Sequence, residues 1–152
     1  MGAGTVKFIR RVLRDERGDI EDMPNLAILL VGVVVPLIAV VVFMGRYGLA
    51  DNSVQSAAAA AARDASLSRT AGEAVPHAKS AATIALTGNV HCASLDVSIG
   101  GNGLSTGLGE TGTVSATVQC TINTSDLAFP FIPGSMTITK TATSPVDPYR
   151  ER

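Results

Sequence analysis

The polar and apolar positions of the chain fall into three regimes. In residues 26–44, LAILLVGVVVPLIAVVVFM, no position is charged and no face is polar. A helix of that length rises about 28 Å, against roughly 30 Å for the hydrocarbon core of a bilayer. A segment apolar all round has no side to show to water, and a chain this small has no soluble core able to cover it. Residues 26–46 are therefore predicted to form a transmembrane helix. Pro36, at mid-span, removes one backbone hydrogen bond and is expected to kink it.

The second regime has a helical period. Residues 47–70 read as a continuation of the first helix, with six consecutive alanines at 57–62. Alanine is the strongest helix former. Val54, Ala57, Ala58, Ala61 and Ala65 share one face, leaving Arg63, Asp64 and Arg69 for the other. Thr70-Ala71-Gly72-Glu73 interrupts the pattern. A second helix is predicted over residues 74–86, with Pro76 in its first turn, where a missing N–H does no harm. Its expected apolar face is Val75, Ala78, Ala82, Ala85 and Leu86. Thr87-Gly88-Asn89 supplies the stop.

From Val90 the period becomes two. Ala93, Leu95, Val97 and Ile99 alternate with Ser94, Asp96 and Ser98. After a Gly-rich connector running to Gly112, Val114, Ala116, Val118, Cys120 and Ile122 alternate with threonine, serine and glutamine. In residues 135–143, Met136, Ile138 and Ala142 face inward, with Lys140 an exception to the alternation. Pro145 and Pro148 are expected to end strand pairing. Three amphipathic strands in succession predict an antiparallel meander with one face covered by the helices. The fold class is α+β: an N-terminal transmembrane helix extended into an Ala-rich helix, a second short helix and a three-stranded antiparallel sheet.

Charge adds a direction. Lys7, Arg10, Arg11, Arg14 and Arg17 precede the apolar run, and Arg46 alone follows it closely. Basic residues stay on the cytoplasmic side, so the N-terminus is expected inside and the C-terminal part outside the cell membrane. A cleaved signal peptide would have a shorter apolar run followed by an A-x-A site, whereas Gly45-Arg46-Tyr47-Gly48 follows here. The division is a basic leader at 1–25, the transmembrane helix at 26–46 and an extracytoplasmic domain at 47–152. The leader alternates Phe8, Ile9, Val12 and Leu13 with its basic residues, a pattern able to lie on the inner leaflet and touch anionic lipid.

Composition narrows the chemistry. The net charge is −1, which argues against nucleic acid as a partner. The chain has no Trp and 4% aromatic residues, so the outer domain has a light core. Its two cysteines, Cys92 and Cys120, both fall on the expected outer side, where a disulfide is the natural state. Cys92 falls on the polar side of its strand pattern, so a bridge requires it to lie outside the ladder, at the end of the helix–strand loop. Metal binding needs further ligands, and His91 beside Cys92 is one at most. His77 and His91 lie in different elements, and nothing supplies the base and orienting group of a triad. The Gly-rich connector lacks the Gly-Lys-Ser/Thr end of a phosphate loop. No catalytic residue, metal or cofactor is expected. Leu127, Phe129, Phe131 and Ile132, in an apolar loop before the last strand, form the candidate contact surface, or else fold back to fill the core.

The junction Arg17-Gly18-Asp19-Ile20-Glu21-Asp22-Met23-Pro24, the apolar helix with Pro36, the stretch AAAAAARDAS and the closing Val146-Asp147-Pro148-Tyr149-Arg150 together carry a resemblance. The chain resembles the TadE-like minor pseudopilins of tight-adherence (Flp-type) pilus systems, in particular the actinobacterial ones, over its whole length in order of elements. The resemblance implies a type IV pilin-like fold, no enzymatic activity, and processing by a prepilin peptidase between Gly18 and Asp19. In that family the fifth residue after the cut is usually Glu; here it is Met23. The implied partners are membrane lipid, other pilin or pseudopilin subunits and the pilus assembly machinery, with incorporation into a surface pilus as the implied destination. Two other readings stay open: a single-pass, membrane-anchored extracellular binding module, and a component of a secretion or envelope complex.

Overall fold

The structure, a computed structural model, describes residues 23–124 and 134–149. The chain divides into two compact units, Met1–Ala39 and Val40–Arg152. In the first, helix α1 (Met23–Leu29) passes through a π-helical turn (Leu30–Val34) into helix α2 (Val35–Leu67). The Val35 N–H donates to the Leu30 carbonyl, one residue further back than in an α-helix. Pro36 follows directly. Its ring would press on the carbonyl four residues earlier, and the wider turn ahead of it is how this helix absorbs the disturbance. The helix Leu26–Leu67 is long and apolar enough to cross a membrane, and none of its most apolar window is buried within the protein.

The second unit packs the rest of α2 and helix α3 (Ala71–Leu86) over one face of a three-stranded sheet. Strands β1 (Ser94–Gly101), β2 (Gly112–Asn123) and β3 (Ser135–Val146) run antiparallel in the order β1-β2-β3. The alanine stripe is buried as its spacing predicts: Val54, Ala57, Ala58, Ala61 and Ala65 have no exposed surface. The inward row Val114, Ala116, Val118, Cys120 and Ile122 meets them in the same core. Helix α3 lies against β1.

The structure moves several predicted boundaries. Helix α3 begins at Ala71, three residues early, because Thr70 caps it: the Thr70 hydroxyl accepts the Glu73 N–H at 3.3 Å. Pro76 is thereby inside the helix, beyond its first turn. Ala74 lies in the core and Val75 is exposed, against the expected face, because the buried row runs at a spacing of four through Ala74, Ala78, Ala82 and Leu86. Gly88 ends the helix with φ of 83°, a conformation glycine adopts without strain. Strand β1 starts at Ser94, so Ala93 is exposed and Cys92 lies ahead of the ladder, as a bridge requires. Strand β3 runs on to Val146 through Pro145, which pairs with Thr113. It is an edge strand, where a proline nitrogen facing away from β2 interrupts no bond; Pro145 therefore does not end the pairing.

The Gly-rich connector closes over one end of the sheet. Gly103 N–H donates to the Thr113 carbonyl at 2.9 Å, Thr113 N–H to Asn102 Oδ1 at 3.3 Å, and Gly109 N–H to the Pro148 carbonyl at 2.9 Å. A side chain at Gly103 would meet Val146 and the Thr113 backbone, so this approach requires glycine.

Candidate functional site

Three features of the second unit bear on what it can contact. The first is the bridge. Cys92 and Cys120 are disulfide-bonded, with Cα atoms 5.3 Å apart and a sequence separation of 28. The bond joins the loop after α3 to the central strand. Cys120 is fully buried between Leu95 and Ile138, its register partners on β1 and β3. A thiol pair committed in this way is neither a nucleophile nor a metal ligand.

The second is the inward row of β3. Lys140 continues the alternation it seemed in sequence to break: it points into the helix layer and its Nζ meets Asp51 Oδ1 of α2 at 2.8 Å. Two inward positions further along β3, Ser144 Oγ donates to Ser66 Oγ at 3.1 Å. Polar pairs thus tie β3 to α2 at both ends of the alanine stripe. Asp51 was not legible as a partner from its own surroundings. The signal was Lys140, a cation at an inward position that demands an anion on the facing helix.

The third is a groove of about 450 Å³ between α2 and α3, on the helix surface remote from the sheet. Ala60, Ala81 and Ala85 form its floor. Leu67 and Ile84 flank it and are 74% and 72% exposed. Arg63 and Asp64 stand on its rim. Sequence periodicity missed this groove because both leucine-sized residues sit opposite the buried alanine faces that it picked out.

Of the other residues singled out in the sequence, His77 and His91 are exposed. His77 Nδ1 stands 3.9 Å from Asp64 Oδ2, a loose contact at the surface. Among the described residues no three of His, Cys, Asp and Glu are grouped to hold a metal ion. Gly18 and Asp19, and the loop residues Leu127, Phe129, Phe131 and Ile132, lie outside the described residues. The two ends of that loop are joined by Thr124 N–H donating to the Gly134 carbonyl at 3.0 Å.

No protein-family model matches the chain, and neither a curated protein nor a solved structure matches it.

Proposed function

We propose that this chain is a membrane-anchored, minor pseudopilin-like structural protein that takes part in assembly of a tight-adherence type pilus. The observation that carries the reading is the division of labour along α2: a stretch whose most apolar window is unburied, then an alanine face buried in the core it shares with α3 and the sheet. Lipid is the natural cover for the first stretch, since it has no polar face to solvate. Phe43 and Tyr47, stacked with centroids 6.4 Å apart, suit the membrane–water boundary. The order of elements, together with the junction at Gly18 and Asp19, supports the pseudopilin resemblance. Work in such a protein is done by packing. The anchor can leave lipid only when other subunits' helices replace it, and the outer α+β unit supplies contacts between subunits.

Mass spectrometry of the mature protein tests the reading. A processed terminus at Asp19, with the chain recovered from a membrane or sheared-pilus fraction and pili lost on its deletion, is the expected result. An intact Met1 in a membrane-bound chain whose deletion leaves pili unchanged would overturn the pilus assignment in favour of an anchored binding module.

A further inference from the structure

We infer that the α2–α3 groove is the seat of a second copy of this chain, bound in parallel through a two-fold axis that runs along α2. The surface is drawn on one helical line. Leu49 and Leu67 are about five turns apart and so point the same way, with Ala60 between them. Both leucines are more than two-thirds exposed, and Leu67 shares the lining of the groove with the equally exposed Ile84 of α3. The two leucines on this line bury little within their own chain.

The charges identify the occupant. Successive helical residues turn by about 100°, which sets Arg63 and Asp64 about 50° to either side of the Ala60–Leu67 line. Arg63 has no ion-pair partner among the described residues, and Asp64 has only the 3.9 Å contact with His77. When two such helices run parallel about a two-fold axis, the line meets itself. The Arg63 flank of each copy then faces the Asp64 flank of the other. Opposite charges on opposite flanks are self-complementary in this arrangement. A lipid surface would instead call for basic residues on both flanks. The parallel sense rests on the membrane-anchored reading, because a bilayer presents every copy in the same orientation and confines copies to a plane, raising their effective concentration.

The test uses the full-length chain in its own membrane. The two native cysteines are bonded to each other, so an introduced cysteine is the sole thiol available. Under a mild oxidant, Leu67→Cys is expected to form a disulfide-linked dimer, while Thr139→Cys, on the exposed outer face of the sheet, does not. Adding Arg63→Glu to Leu67→Cys reduces the dimer about fivefold, the effect of two exposed flank pairs turned repulsive. Adding Arg63→Glu and Asp64→Arg together restores it. Equal cross-linking at Leu67→Cys and Thr139→Cys overturns the pairing, as does a Leu67→Cys dimer indifferent to Arg63→Glu. Fractionation of the same cells reads the anchor separately. Absence of the dimer in a membrane-embedded chain therefore removes the pairing alone and leaves the anchored reading standing.

Discussion

Lys140 Nζ lies 2.8 Å from Asp51 Oδ1, and this contact pins the edge strand β3 to the helix that carries the alanine stripe. Both side chains are about 30% exposed, which leaves the pair some water but little room to separate. Its strength follows from that setting. It exceeds a surface pair and falls short of a buried one, since either partner can turn to solvent when the other is removed.

Lys140→Ala and Asp51→Ala are each expected to lower stability by about 1–2 kcal/mol, with a coupling of about 1 kcal/mol between them. A double-mutant cycle on thermal unfolding of the detergent-solubilised chain checks this. Additive losses would show that the contact contributes nothing of its own.

Breaking the Cys92–Cys120 bridge releases a loop of about 29 residues in the unfolded chain, worth roughly 3.5 kcal/mol by loop-closure entropy. Reduction should lower the unfolding midpoint accordingly. Cys120→Ser should cost more than Cys92→Ser, because Cys120 is fully buried and a hydroxyl there must be satisfied, while Cys92 is only half-buried. Equal midpoints for the two variants would contradict this.

The alanine stripe is a packing constraint, not merely a helix-forming run. Ala61→Leu is expected to destabilise by about 1–3 kcal/mol through overpacking against the sheet. Ala59→Leu, two residues away and exposed, should change stability by no more than about 0.5 kcal/mol. Chemical denaturation of the two variants separates the readings, since helix propensity is almost the same for both.

Two glycines with positive φ should respond differently to alanine. At Gly109 (φ 82°) the space is open, so Gly109→Ala costs only the backbone strain, about 1 kcal/mol. At Gly101 (φ 94°) a Cβ would overlap the Thr113 carbonyl oxygen, so Gly101→Ala adds a steric displacement of β2 and costs about 2–4 kcal/mol. Thermal shifts of the pair give the order directly.

Pro76 sits inside α3, exposed, and withholds one helical hydrogen bond. Pro76→Ala should therefore stabilise the chain by about 1 kcal/mol, the regained bond being partly offset by greater freedom of the unfolded chain. A fall in the unfolding midpoint would show that Pro76 itself is needed to seat Ala78 and Ala82 in the core.

Pattern alone determined the layout of this protein. A run of nineteen uncharged residues admits one structure in lipid, a stripe of alanines at helical spacing admits one buried face, and alternation over residues 113–122 admits one inward row. These are statements about period and burial, which are local properties. Long-range pairing decided the rest. Lys140 looked like an exception until the sheet was laid on α2 and Asp51 came within reach. Pro145 looked like a terminator until β3 proved to be an edge, where its nitrogen has no partner to lose. Thr70 turned from a break into a cap, and the packing of α3 set Ala74 rather than Val75 in the core. The groove between α2 and α3 exists only because two helices, each with its alanine face turned inward, leave Leu67 and Ile84 exposed along the other surface. Which residues become neighbours across elements depends on the register and separation of those elements, and neither quantity is written in the spacing of any one of them.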